Sequence, residues 1–187
     1  MLDIRNDRAQ IFSRGASPMR MSEGVEWAAH ACALLAVLPE GVGVSAALLA
    51  EFNDLPPAYM AKHMQALARA GLVTSERGAR GGYRLARKAS DVSLWDIVEA
   101  IEGPEPAFRC SEIRQQGPCA TPPEDCKRPC KIARAFHIAE QSWRNELKAV
   151  SLTDLNAQIA AGQSPARRAQ LVAWVEANIG PLTKPRI

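Results

Sequence analysis

Four of the chain's five cysteines, Cys110, Cys119, Cys126 and Cys130, crowd into one stretch with the spacing C-x8-C-x6-C-x3-C. The first residues lack a basic-then-apolar leader, so a reducing cytoplasmic setting is expected. Clustered cysteines there argue for metal ligation or redox sensing rather than a disulfide framework. The last pair is spaced to chelate a metal locally, but the set lacks the paired C-x2-C knuckles of a zinc ribbon. Iron–sulfur ligation tolerates wider spacings. Free thiols are the bland reading, with Cys119 the first candidate. Elsewhere, Glu26 and His30 stand four residues apart, hence on one helix face, with Trp27 beside Glu26. Taken alone they read as a surface carboxylate and imidazole, and Cys32 reads as a small core residue. There is no C-x-x-C motif and no cleft-forming sheet, so a thiol redox enzyme ranks last, and no catalytic residue and no small-molecule substrate are expected.

The cysteines must be held by what flanks them. Residues 104 to 130 are broken by Pro104, Pro106, Pro118, Pro122, Pro123 and Pro129, leaving one expected turn around Ser111 to Gln115. Such a loop has little core of its own, so its cysteines are the candidates for pinning it. Upstream, Val44 to Leu85 reads as two short helices and a two-stranded ribbon. Ser45 caps a helix carrying Leu48, Leu49 and Phe52, which Asn53 and Asp54 stop. Pro56 and Pro57 open the next, which turns Met60, Met64, Leu67 and Ala68 inward and leaves Tyr59, Lys62, His63 and Arg69 on other faces. Gly71 closes it; Leu72 to Thr74 begin a strand, Gly78 to Gly82 turn, and Tyr83 to Leu85 return. This is the layout of a winged helix-turn-helix. Between residues 56 and 90, Lys62, Arg69, Arg77, Arg80, Arg84, Arg87 and Lys88 face only Glu76, a local surplus of six positive charges suited to phosphate. Double-stranded DNA is the expected partner, with Tyr59, Lys62 and His63 at the major groove and Arg77, Arg80 and Gly81 on the wing. A solvated basic face used for protein contacts is the weaker reading.

The 187 residues are 47% hydrophobic with a formal charge of +3, an ordinary soluble composition, and contain no apolar run long enough to span a bilayer. The expected fold class is mostly α: a winged helix-turn-helix domain over residues 19–103, the cysteine loop over 104–130, and a dimerisation helix with a short following helix over 131–160. A C-terminal helix and tail fill 161–187. Residues 1–18 are expected to be a disordered extension, with Met19 as an alternative start. Ser22 is expected to cap a helix running to about Leu38 that buries Val25, Ala29, Cys32, Leu35 and Ala36. Ser93 with Asp96 opens a helix whose stripe is Leu94, Ile97, Val98 and Ile101, ended by Gly103-Pro104. From Lys131 a long helix carries Ile132, Phe136, Ala139, Trp143, Leu147 and Val150 at steps of three and four. Such a stripe wants a partner helix, and the two-fold habit of small DNA-binding modules points to a second copy. Ser151 caps a helix through Ile159. Ser164-Pro165 opens a last one presenting Leu171, Trp174, Val175 and Ile179.

Tyr59-Met60-Ala61-Lys62, Ala70-Gly71-Leu72-Val73, Arg77-Gly78, Gly81-Gly82-Tyr83 and the Asp96-Ile97-Val98 helix together resemble the Rrf2 family of bacterial transcriptional regulators. The resemblance covers the chain to about Leu155 and implies a winged-helix homodimer, in many members holding an iron–sulfur cluster that senses iron, nitric oxide or redox status. The commonest loop of that family would correspond to Cys110, Cys119 and Cys126. Val25-Glu26-Trp27 with His30, Glu112-Ile113-Arg114-Gln115, Ala120-Thr121-Pro122-Pro123-Glu124 and Cys130 are similar to another branch. That branch implies a [2Fe-2S] cluster at the dimer interface, [4Fe-4S] being the alternative, on residues matching Glu26, His30 and Cys130. Its fourth ligand is a histidine whose place is taken by Asn53, a poor iron ligand, which leaves Cys126, Cys119, Asn53 or water. A DNA-binding regulator with structural zinc or a thiol switch is the rival.

Overall fold

In the computed structural model, residues 21–180 are described, apart from 77, 79 and 80. The expected N-terminal extension, the alternative start at Met19, the wing residues Arg77 and Arg80, and the tail beyond residue 180 lie outside the described residues. Seven α-helices and one two-stranded antiparallel sheet make up the described fold, in the order α1 (Glu23–Val37), α2 (Ala46–Phe52), α3 (Pro57–Arg69), β1 (Val73–Glu76), β2 (Gly82–Leu85), α4 (Leu94–Glu102), α5 (Lys131–Lys148), α6 (Leu152–Gly162) and α7 (Pro165–Asn178). The mostly α winged helix-turn-helix is therefore the observed architecture.

Local chemistry explains most boundaries. Ser45 Oγ accepts the Leu48 amide to start α2. Asn53 caps its end, with Asp54 in the left-handed region. Pro57 sits at the first position of α3, where its missing N–H costs nothing, and Gly71 follows the helix at a φ of 68°. Ser93 with Asp96, and Ser151 with Asp154, form full capping boxes on α4 and α6. Ser22 occupies the N-cap position of α1 but does not cap it. Its hydroxyl and amide instead donate to Glu102 Oε1 at 2.7 and 2.8 Å, tying the start of α1 to the end of α4.

β1 and β2 pair Val73 with Leu85 and Glu76 with Gly82. Val44 adds a bridge: its amide donates to Tyr83 O at 2.9 Å and its carbonyl accepts from Tyr83 N–H at 2.7 Å, fastening the wing to the start of α2. Gly82 thus belongs to the returning strand rather than to the turn. The core gathers Ala31, Cys32 and Leu35 of α1, Leu49 of α2, Met60, Met64 and Leu67 of α3, and Ile97 of α4; Ala29 and Ala36 are only half-buried. α6 closes it through Leu152, and Asn156 reaches Ala33 O at 3.1 Å. α7 joins the same core. Val175 is fully buried there, and Trp174 packs on Phe52 of α2 with ring centroids 4.6 Å apart. The last helix therefore builds the back of the helix-turn-helix, a role its sequence alone did not reveal.

Candidate functional site

The outer face of α3 is open to solvent. Tyr59 is 55% exposed, and Lys62, Gln65 and Arg69 are exposed beyond it. Gln65, three residues after Lys62 and thus on the same face, was missed in the sequence, although amides are competent readers of base edges. His63 corrects the expectation of an open side chain: it is buried at 9% exposure, turned toward α1. There Trp27 meets it edge-on at 5.7 Å and meets Tyr59 at 5.8 Å. Gly24 leaves the room it fills, since a Cβ at that position would come within 2.4 Å of the imidazole and push it aside. Burial, reinforced by the Lys62 charge, holds the His63 imidazole below its usual range, so it packs as a neutral ring.

The basic wing is partly committed to its own fold. Arg84 pairs with Glu76 across the sheet, and Arg87 donates to the carbonyls of Gly71 and Ala70 at the end of α3. Gly81 uses its N–H in a turn bond to Gly78 O at 2.9 Å, so that amide is not open to a phosphate. Lys62, Arg69 and Lys88 are the exposed cations that no such bond engages among the described residues.

The loop after α4 contains two turns of 3-10 helix, Ile113–Gln115 as expected and Pro123–Cys126, which was not. Arg114 organises it. Its guanidinium pairs with Glu112, donating to Oε2 at 2.8 Å, and reaches Arg128 O at 3.0 Å, while Thr121 N–H donates to Arg114 O at 2.7 Å. The Glu112 bond, helped by the nearby Cys126 and Cys130 sulfurs, keeps Arg114 firmly charged. Glu112 itself holds a left-handed φ of 52° that a glutamate rarely adopts. Cys130 is half-buried at the N-cap of α5, its Sγ accepting the Ala133 amide at 3.2 Å. Cys126 is half-buried, and Cys110 and Cys119 are exposed. Cys32 is fully buried in α1, which pushes its thiol up to about 12 and makes it inert.

Glu26 and His30 are both exposed on α1, with no partner among the described residues. Asn53 is tied down, its amide donating to Leu49 O at 2.8 Å. Within one chain, no three His, Cys, Asp or Glu side chains among the described residues converge to hold a metal ion. Neither the Glu26, His30 and Cys130 set nor the Cys110, Cys119 and Cys126 set is assembled by a single chain.

α5 divides where the sequence suggested one continuous stripe. Trp143 and Leu147, expected in a dimer contact, pack inside the chain against Val25, Trp95 and Val98, with Trp143 edge-on to Trp95 at 5.6 Å. Ile132 and Phe136 stay exposed at 67% and 52%, Phe136 carrying Phe108 stacked on it at 4.5 Å. The halves meet at a buried ion pair the sequence gave no reason to single out. Glu140 Oε1 accepts from Arg144 Nε at 3.0 Å and from Ala107 N–H at 3.2 Å. Arg144 lies 4.5 Å over the Trp95 ring. Burial opposes the Glu140 charge, but the Arg144 and Ala107 hydrogen bonds outweigh it and keep the carboxyl below its usual range; Phe108 N–H also helps, from outside hydrogen-bonding geometry.

Comparison with known proteins agrees with this architecture. Residues 21–158 match the Rrf2 family, described as iron-dependent transcriptional regulators. An HTH-type transcriptional regulator of Mycobacterium tuberculosis, Rv1287, is 30% identical over 156 residues, covering 82% of this chain and 88% of its own. The HTH-type regulator YwgB of Bacillus subtilis is 28% identical over 134 residues, 72% of this chain and 82% of that one. Two solved structures share the fold. CymR, the global cysteine regulator of B. subtilis, has a TM-score of 0.59 at 24% identity over 74% of this chain and 97% of that one. T. potens IscR has a TM-score of 0.57 at 23% identity over 83% and 99%. With most of its length in that match and the exposed face of α3 beside a basic wing, the chain belongs to the Rrf2 family of DNA-binding transcriptional regulators and is not an enzyme.

Proposed function

We propose that this chain acts as a homodimer on a double-stranded operator and reads redox, iron or nitric oxide status through an iron–sulfur cluster shared between subunits. The observation that carries the reading is the disposition of three ligand types. Glu26 and His30 are side by side, exposed and unpartnered among the described residues, while Cys130 caps the helix that bears exposed Ile132 and Phe136. If α5 packs on a second copy, its N-terminus delivers Cys130 to the partner's Glu26 and the partner's His30. Carboxylate, imidazole and thiolate are all competent iron ligands, so the donor set fits a [2Fe-2S] group, [4Fe-4S] being the alternative. Cys126, half-buried four residues before Cys130, is the best placed fourth donor. When bound, such a group supplies one-electron chemistry whose charge depends on both electron and proton count. Ligation across the two-fold axis fixes the angle between subunits, and therefore the spacing of the two α3 helices, which must sit about one DNA turn apart.

Anaerobically purified protein is expected to be coloured, with iron and sulfide in equal amount. A colourless protein containing zinc, or none of these, would hand the loop to the structural zinc or thiol-switch reading.

Two further expectations test the surfaces. Lys62→Ala should weaken operator binding by roughly 1–3 kcal/mol if Lys62 reads a base, or lower the slope of the salt dependence by about one if it touches phosphate. Titration by fluorescence anisotropy at several salt concentrations checks this, and an unchanged affinity and slope would remove Lys62 from the interface. Phe136→Glu should weaken the dimer by roughly 2 kcal/mol, about 30-fold in dissociation constant, because a two-fold contact loses both copies of Phe136, each with about half of its surface to bury, at roughly 1 kcal/mol apiece. Sedimentation equilibrium reads it, and a dimer as tight as the wild type places the interface elsewhere. Trp143→Glu is the wrong probe, because it breaks the Trp95 packing within the chain.

A further inference from the structure

We propose that Glu140 and Arg144 form a latch that relays the state of the cysteine loop to the DNA-binding helices. Every link is a contact in the fold. The strap from Pro104 to Phe108 enters the cysteine loop, and it is held to α5 by Ala107 N–H donating to Glu140 Oε1 and by Arg144 Nη2 donating to Pro104 O at 3.4 Å and Glu105 O at 3.3 Å. Phe108 stacks on Phe136, one turn before Glu140. On its other side, Arg144 lies over Trp95 of α4, and α4 packs against both α1 and α3 while Glu102 at its end holds Ser22.

Lying between two sites does not make a relay, and what distinguishes this junction is an unmet bond. Glu140 Oε2 is sealed from water and has no hydrogen-bond partner. Such an atom is costly in a buried ion pair, and native folds rarely leave one. The next amide of the strap, Phe108 N–H, is close enough to help hold the carboxyl below its usual range, although it does not bond to Oε2. A small advance of the strap that carries this amide onto Oε2 would satisfy both carboxylate oxygens, and that is the second of the two arrangements the latch uses. The cysteine loop, which continues the strap, is the element placed to choose between them.

The inference rests on the sensing function proposed above, but one arm of its test does not. Iodoacetamide on the full-length protein alkylates the loop cysteines and spares buried Cys32. Hydrogen exchange of α4 amides, residues 94–102, should then change several-fold in the wild type and not in Glu140→Leu/Arg144→Leu, in which apolar replacements preserve the packing. Glu140→Gln, with the charge removed and the bonds from Arg144 and Ala107 to Oε1 kept, should give an intermediate response. α4 exchange that ignores alkylation in the wild type, or that responds equally in the double variant, overturns the latch. The second arm measures affinity for a duplex selected by the wild-type protein, before and after alkylation. The ratio of the two should fall toward one in the double variant while each form still binds, a pattern that simple destabilisation does not produce. If α4 exchange follows the latch and wild-type affinity ignores the loop, the latch stands and the sensing function fails.

Discussion

Gly82→Ala is expected to cost at least about 3 kcal/mol of folding stability, lowering Tm by roughly 6–12 °C in a chain of this size. Two effects combine at this position. Its φ of 136° is a conformation L side chains rarely adopt, and a Cβ there would lie 2.5 Å from the Val44 carbonyl carbon and 2.7 Å from the Val44 nitrogen. Backbone cannot swing aside as a flexible side chain can. Relief requires breaking the two hydrogen bonds between Val44 and Tyr83, worth about 1 kcal/mol each, and lifting buried Val44 from the core. The wing would then lose its fastening to α2, and operator affinity should fall at least about 10-fold even where the protein remains folded. Gly71→Ala is the control: it carries a φ of 68° with nothing within 4 Å of the added Cβ, so it should show the left-handed cost alone, about 1–2 kcal/mol. Thermal unfolding followed by circular dichroism separates them. A Gly82 variant no less stable than the Gly71 variant would mean that the close approach to Val44 does not anchor the wing.

That approach also marks the limit of what the sequence revealed. Much of what neighbours within four residues govern was legible: the Ser93 capping box, the Ser151 cap, Pro57 at the start of α3, Gly71 after its end, and the shared face of Glu26 and His30. Side chains with two plausible faces were not. His63 lies beside the outward face of α3, yet it turns inward into the space that Gly24 leaves beside Trp27. Ser22 stands where serine commonly caps a helix, and a carboxylate eighty residues away diverts it. Trp143 and Leu147 continue the stripe of Phe136 in sequence, yet Trp95 claims them within the chain. Glu140 and Arg144 look like an ordinary surface pair four residues apart, and burial under the Pro104 strap makes them something else. The candidate metal site was legible as residue types but not as geometry, because one chain does not gather its members.

Cys130→Ala and His30→Ala should each abolish the visible absorption of anaerobically reconstituted protein, while Cys110→Ala keeps it. The three-cysteine alternative predicts the opposite, with Cys110→Ala, Cys119→Ala and Cys126→Ala blank and His30→Ala coloured. Cys126→Ala tests the proposed fourth donor: a changed spectrum assigns it to Cys126, and an unchanged one leaves Cys119, Asn53 or water in that place. Cys130 needs one further control because its sulfur is the N-cap of α5, and losing a cap costs about 1 kcal/mol. Serine restores the cap without the thiolate, so a Cys130→Ser protein that is folded, dimeric and colourless assigns the loss to ligation. The decisive experiment mixes two colourless variants. If Cys130 of one chain joins the partner's His30, a heterodimer of one Cys130→Ala chain and one His30→Ala chain has one site with both residues intact and one with neither. Colour should return to about half the wild-type content per dimer. If instead each site draws both ligands from the same chain, every site in the heterodimer is broken once, and no colour returns. Recovery in the mixture thus requires ligands from both subunits. A blank mixture, from variants shown to exchange subunits, would refute the intersubunit site even if both residues bind iron.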